Sequence, residues 1–291
     1  MVVGSTQLEL LNEYERQQIG ERQPLPERYL GVPDEELEVR ISAARSALGD
    51  RLVILGHHYQ RDEVFKFADY SGDSFKLAKV AAERSDTEFI IFCGVHFMAE
   101  SAYVLSAPYQ RVILPDLAAG CSMADMAAAD ELEVCWRELE ELGVTDVVPV
   151  TYMNSAADIK AFCGREGGVV CTSSNAVATL RWGWERGEKI LFLPDQHLGR
   201  NTAYSMGVPL DKMVVWDPQQ PMGGLGPDEV AAAKIILWKG HCSVHTKFSV
   251  AQIEQLRLAE PEVRVIVHPE CTWELSLIHI SEPTRRYAIS Y

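Results

Sequence analysis

The chain is short of positive charge: 27 lysines and arginines stand against 42 aspartates and glutamates, for a formal net charge of -15 and an isoelectric point near 5.0. That balance argues against nucleic acid and anionic membranes as general partners, because the field of the whole chain repels both. A small anionic substrate remains admissible where helix N-termini or a metal supply positive potential locally. Long hydrophobic runs are also missing, since no segment reaches the roughly 18 apolar residues of a membrane span. Residues 1–20 are acidic and helix-prone and read as no signal peptide. Cysteine is sparse: seven residues, an odd number without close pairing, suit a reducing cytosol better than a disulfide framework, and the expected location is cytoplasmic. Phosphate-binding glycine fingerprints are missing as well. Gly223, Gly224 and Gly226 match neither a Walker motif nor a dinucleotide fingerprint and read as a flexible loop.

What is present is the composition of a soluble globular protein, 47% hydrophobic and 24% charged over 291 residues, enough chain for two domains or three small ones. Residues 1–37 read as a helical lead-in and a proline-spaced loop. An amphipathic helix over Glu38 to Leu48 then opens a repeating alternation. Apolar runs LVIL at 52–55, FIIF at 89–92 and VIL at 112–114 alternate with helical stretches Phe65 to Glu83 and Phe97 to Leu105, which is the grammar of a parallel sheet. The pattern restarts with VVPV at 147–150, VVC at 169–171, ILFL at 190–193, MVV at 213–215 and IILW at 235–238. LPDQHLG at 193–199 echoes LPDLAAG at 114–120, a weak internal repeat. A further unit opens with a helix over Val250 to Leu258 and a strand VRVIV at 263–267.

Parallel sheets bind ligands at the carboxyl ends of their strands. The segments there, GHHYQ, CGVHF, PDLAAGC, TYMNS, TSSN, PDQHLGR, KGHCSVH and HPEC, are rich in groups that carry chemistry, which connecting loops do not need. They point to an active site. Cys121 lies in a small-residue turn after a strand, a place that suits a cofactor ligand or a buried core cysteine. His57 with Tyr59 reads as an acid–base pair or as a buried histidine beside a satisfied tyrosine. Ser74, Asn154 and Ser173 stand where helices begin, as N-caps or as anion contacts. Cys242 and His245, beside His241, have zinc-like spacing but lack a second pair at finger spacing.

Taken in order, HHYQRDEV, GDSFKLA, FCGVHFMAESA, LPDLAAGCSMAD, VTYMNSAADIKA, CTSSNAV, LPDQHLGR, GHCSVH and VIVHPEC resemble the signature blocks of the quinolinate synthase family, across residues 50–271. The resemblance implies an α/β fold with a pseudo-threefold arrangement of small three-layer parallel-sheet domains. These would occupy residues 38–127 and 128–246, with 247–274 beginning the third. It implies a 4Fe-4S cluster with one cysteine from each domain, Cys121 and Cys242 being the first two ligands. The implied reaction condenses iminoaspartate with dihydroxyacetone phosphate to quinolinate for NAD synthesis, L-aspartate oxidase or aspartate dehydrogenase being the implied supplier of iminoaspartate. His57, Ser74, Tyr152, Met153, Asn154, Ser173, His268, Pro269 and Glu270 match the family's substrate-binding positions. Tyr59 and Glu270 match its proton-transfer residues, with His245 beside them in the catalytic set. Cys93, Cys135, Cys163 and Cys171 are left as core or near-surface thiols, and Cys271 is not a cluster ligand in the family.

The family pattern departs after HPEC, before the third cysteine ligand. Residues 275–285 read LSLIHISEPTR, which resembles the in-frame translation of a transposase-type sequencing adapter, so genuine sequence is expected to stop at Glu274, with residues 275–291 an artefact tail. The chain as written is then expected to be inactive. Two alternatives stand beside the family reading: another three-domain iron–sulfur enzyme of the diphthamide-synthesis type, and a non-catalytic fragment.

Overall fold

The computed structural model describes residues 26–280. Most of the expected lead-in helix, and residues 281–291 of the expected tail, lie outside the described residues. Within them the fold is α/β, with a four-stranded and a five-stranded sheet, both wholly parallel. The chain divides into two compact units at Cys121/Ser122.

The first unit orders its strands β2-β1-β3-β4, with β1 Leu52–His57, β2 Tyr70–Gly72, β3 Phe89–Cys93 and β4 Arg111–Ile113. Val53 and Leu55 are wholly buried, opposite Ile90 and Phe92, as a parallel strand covered on both faces requires. The first helix, Asp34–Leu48, begins four positions ahead of the expected Glu38. Pro33 sets the entry, and Asp34, Glu35 and Glu36 place negative charge on the first turn, where the helix dipole favours it. The helix expected over Phe65 to Glu83 is broken by β2. Asp69 accepts from Ile54 N at 2.8 Å and donates its own N–H to Ile54 O at 2.7 Å, which aligns Tyr70–Gly72 beside β1. Asp73 then restarts a helix, Ser74–Glu83, by accepting from Lys76 N at 2.8 Å.

The second unit orders its strands β6-β5-β7-β9-β8, with β5 Val147–Tyr152, β6 Val169–Cys171, β7 Lys189–Leu193, β8 Met213–Trp216 and β9 Ile235–Trp238. Both sheets reverse their strand order beside their first strand, at β1/β3 and at β5/β7, the switch points where such sheets bind ligands. By topology β3 corresponds to β7 and β4 to β9. The LPD echo therefore pairs strand ends that are not equivalent. The equivalent ones carry Cys121-Ser122 and Cys242-Ser243, each followed by a short 3-10 turn, Ala124–Met126 or His245–Lys247, and then by a helix, Ala129–Glu141 or Val250–Ala259.

The second core gathers Leu132, Cys135, Leu139, Phe162, Cys163, Trp216 and Trp238, with Trp136 edge-on to Phe162. Burying each large aromatic contributes about 1.5–3 kcal/mol. Trp238 Nε1 donates to Met126 O at 2.6 Å, and the chain from Ser122 onward groups with this core. Residues 247–274 group with the same unit. Gly223 is part of a packed turn rather than a flexible loop: its φ is +64°, and a Cβ there would lie 2.4 Å from Trp216 Cδ2.

Residues 263–267, expected as a strand, form none. A strand needs a hydrogen-bonded neighbour, and among the described residues none pairs with this stretch. Ile266 is 75% exposed, while Val267 packs with Cys271 and Leu275 against Val250, Ile253 and Val265.

Candidate active site and metal centre

In the first unit β1 delivers His57 and Tyr59. Gly56 precedes them because a Cβ there would meet Ala68 Cβ at 2.7 Å. His57 is buried, its ring 3.9 Å from that of Tyr59, and its Nδ1 accepts from Tyr59 N at 3.4 Å. Burial and then the neighbouring His58 lower its pKa to about 4, against an opposing pull from Asp73, so His57 is neutral at pH 7. Tyr59 is half exposed, with its hydroxyl 3.9 Å from Met98 Sδ. Desolvation, then Cys121, raises its pKa, so the phenol enters any reaction as a proton donor. Ser74 is buried at the first helical position and is not the cap, since Asp73 is. Cys121 is half-buried and in no disulfide.

In the second unit the carboxyl ends converge on Glu270. β5 ends in Tyr152, and the following turn is locked by Thr151 Oγ1 donating to Ser155 Oγ at 2.9 Å and Ser155 Oγ donating to Tyr152 O at 2.8 Å. Met153 is buried there, its N–H bonded to Cys171 O at 2.8 Å, and Asn154 follows in the same turn. Neither Asn154 nor Ser173 caps a helix: the Ala157–Arg165 and Ala176–Trp184 helices have Ala156 and Asn175 at that position. Ser173 donates to Tyr152, and Tyr152 donates to the Glu270 carboxylate. Burial, then Glu270, holds the Tyr152 phenol well above its ordinary value.

Cys242, His245 and Glu270 offer donor atoms that all lie within 4.8 Å of one another. His245 Nε2 is 3.5 Å from Glu270 Oε2, and its Nδ1 is 3.4 Å from Cys271 Sγ. The His268 ring stacks on that of His245 at 4.7 Å and 21°, and His268 Nδ1 accepts from Glu270 N at 3.2 Å. Burial lowers His245, and burial followed by His245 lowers His268 to about 4. The short His–Glu separations are therefore not ion pairs at neutral pH. Glu270 is 3% exposed, and burial raises its pKa to about 7, Asp195 adding to the rise while hydrogen bonds from Tyr152 and Cys242 oppose it. Near neutrality this carboxyl exchanges between its two forms, as a general acid–base group must.

Two residues that hold this arrangement were not singled out from sequence. Asp195 is wholly buried and accepts from Leu198 N at 2.8 Å, capping the Gln196–Ser205 helix, and from Cys242 N at 3.1 Å. Burial raises its pKa to about 6 against the opposing N–H donors of Leu198, His197 and Cys242. Asn201, in the same helix, shares the two N–H groups of Nδ2 among Pro269 O at 2.8 Å, Cys271 O at 2.9 Å and Ser276 Oγ at 2.8 Å, holding the HPEC turn from both sides of Glu270. The signal for Asp195 lay in the PDQHL segment, where an aspartate three residues before Leu198 has capping spacing. Cys135, Cys163 and Cys171 are buried core thiols and Cys93 is half-buried. An open depression of about 730 Å³, lined by Trp184, Arg186, Gly207 and Lys234 among others, flanks the amino ends of β7 and β9, away from this chemistry.

A parallel α/β scaffold whose strand ends gather a thiol, imidazoles and a carboxyl of near-neutral pKa defines a class of protein suited to metal binding and proton transfer. The family is given by comparison: the chain belongs to the family described as Quinolinate synthetase A protein, whose model matches residues 39–282. It is 63% identical over 252 residues to the quinolinate synthase of a Nocardioides species, covering 84% of this chain and 64% of that protein. It is 58% identical to those of Acidobacterium capsulatum, covering 86% of this chain and 67% of the relative, and of Streptomyces coelicolor, covering 83% and 62%. The chain thus spans about two thirds of the length of these curated relatives.

Proposed function

We propose that this chain belongs to an enzyme that condenses iminoaspartate with dihydroxyacetone phosphate, losing phosphate and water, to give quinolinate for NAD synthesis. The observation that carries the reading is Glu270, a buried carboxyl with a pKa of about 7, set among Tyr152, His245 and Cys242. Enolisation and dehydration move protons on and off carbon and oxygen several times, and Glu270 is suited to both directions. Tyr59, protonated throughout, is assigned as a proton donor, and His245 as the group that orients Glu270. His57, Ser74, Tyr152, Met153, Asn154, Ser173, His268 and Pro269 are assigned to substrate binding. The neutral imidazoles of His57 and His268 offer directed hydrogen bonds to carboxylates. Such donors answer the chain's net charge of -15 locally.

A 4Fe-4S cluster held by Cys121, Cys242 and a third cysteine, which the resemblance places beyond Glu274, supplies a Lewis-acidic iron when bound. The residues present fit it: both thiols are half-buried and outside any disulfide, and Cys242 stands among further nitrogen and oxygen donors. No helix among the described residues is long and apolar enough to cross a membrane, and the reading takes the protein as cytoplasmic, supplied with iminoaspartate by L-aspartate oxidase or aspartate dehydrogenase. The family match favours this reading over an enzyme of the diphthamide-synthesis type.

The test uses the chain completed with the remaining third of a relative and reconstituted with iron and sulfide. Cys121→Ser and Cys242→Ser are expected to abolish the visible cluster absorption and quinolinate formation, and Cys163→Ser to leave both intact. A full complement of iron and sulfide in Cys242→Ser would sink the cluster assignment. Turnover by the 291-residue chain alone would sink the expectation that it is inactive as written.

A further inference from the structure

We propose that the cluster-free chain holds a single mononuclear zinc ion through Cys242 Sγ, His245 Nε2 and a Glu270 carboxylate oxygen, with Cys271 orienting the histidine from behind. The inference needs only the second unit and does not rest on the proposed reaction. One thiolate, one imidazole and one carboxylate form a set suited to zinc, and three protein ligands with one open position are the pattern of catalytic rather than structural zinc sites.

The distances are close to those required. Zinc bonds of about 2.3 Å to sulfur and about 2.0 Å to nitrogen and oxygen place tetrahedral donor atoms about 3.3–3.6 Å apart. His245 Nε2 and Glu270 Oε2 are already 3.5 Å apart, and no donor pair in the set exceeds 4.8 Å. Closure therefore asks for a movement of about 1 Å in the side chains of a site whose backbone is held in place. Cys242 N is bonded to Asp195, and the carbonyls on either side of Glu270 are bonded to Asn201.

The histidine is oriented for this role. Its Nε2 faces Glu270 while its Nδ1 lies 3.4 Å from Cys271 Sγ, and the stacked His268 ring fixes its plane. A histidine that ligates through one nitrogen usually donates from the other, and with Nε2 on zinc the proton is on Nδ1, which then donates to the Cys271 sulfur 3.4 Å away. Cys271 is thus a positioning residue and not a fourth ligand, since it lies at the opposite nitrogen. Zinc binding releases to solvent the Cys242 thiol proton and, from the fraction of molecules in which Glu270 is protonated, the carboxyl proton as well. Because Cys242 is common to this site and to the proposed cluster, the two metals exclude one another there.

Cobalt(II), a coloured stand-in for zinc, is titrated anaerobically into the reduced, metal-free 291-residue chain, and zinc is then used to displace it. One equivalent is expected, with a thiolate-to-metal absorption band and four-coordinate ligand-field bands. Cys242→Ser removes the thiolate band, Glu270→Gln and His245→Ala abolish tight binding, and Cys163→Ser changes nothing. Cys271→Ala keeps the band and the stoichiometry but weakens binding about 10- to 100-fold. Far-UV circular dichroism establishes that each variant is folded, and the wild-type spectrum is decisive even where one is not. Absence of stoichiometric binding, or a thiolate band that survives Cys242→Ser, overturns the site; unchanged affinity in Cys271→Ala overturns the positioning role. Iron and sulfide uptake by the completed chain reads the cluster separately, so failure of either assignment is visible alone.

Discussion

Replacing Glu270 by glutamine is expected to stabilise the fold, and to do so only above mildly acidic pH. The carboxyl is 3% exposed, and burial raises its pKa from the ordinary 4.5 to about 7. Between those values the folded state binds more protons than the unfolded state, so stability falls as pH rises. Below pH 4.5 the group is protonated in both states and contributes no penalty; above about 7 it is ionised in both, and the full cost of burying the charge is present. A rise from 4.5 to about 7, at about 1.4 kcal/mol per pH unit, makes that cost about 3 kcal/mol. Glutamine keeps the size, still accepts from Tyr152 and carries no charge. Urea unfolding of the metal-free chain at a series of pH values is the assay. Wild type and Glu270→Gln should agree within about 1 kcal/mol near pH 4.5 and diverge by about 3 kcal/mol at pH 8, the variant being the more stable. A variant less stable at pH 8 than wild type, or a difference that does not change with pH, would refute the reasoning.

Asn201→Ala leaves the carbonyls of Pro269 and Cys271 without this donor and should destabilise the fold by about 2–4 kcal/mol, read from the urea midpoint; a loss below 1 kcal/mol would mean that the HPEC turn holds itself. Gly223→Ala forces a Cβ onto the Trp216 ring at a φ of +64° and should cost more than about 2 kcal/mol by the same measurement, with Gly207→Ala, which is strained but open, as the milder comparison. In the completed protein Tyr59→Phe should reduce turnover about 10²- to 10⁴-fold with cluster absorption unchanged, and a parallel loss of both would make Tyr59 structural.

Much of the architecture was legible because it follows from local pattern. LVIL, FIIF, ILFL and IILW are strands since continuous apolar runs of that length suit a sheet covered on both faces, and the helices Ser74–Glu83 and Gln196–Ser205 are started by the capping aspartates Asp73 and Asp195. The short strand Tyr70–Gly72 was not legible, because nothing apolar marks it and only its pairing with β1 makes it a strand. VRVIV failed in the opposite sense: its residues favour a strand, but no partner strand pairs with it. The repeat was visible but misaligned, since the louder LPD echo joins strand ends that the sheet order shows to be different, while the equivalent ends share only Cys-Ser.

For the site, sequence by itself determined which chemical groups stand at the strand ends and, through nine ordered motifs, the family to which the chain belongs. Tertiary structure decided what those groups are. Glu270 becomes an acid of near-neutral pKa only because distant segments desolvate it and bring Asp195 beside it, against the opposing hydrogen bonds from Tyr152 and Cys242. Cys271 sits against His245 Nδ1 because Asn201, some 70 positions earlier in the chain, holds its carbonyl. Dielectric environment and long-range hydrogen bonds are sums over elements remote in sequence, so no local pattern encodes them; residue type is local, and protonation state and orientation are not.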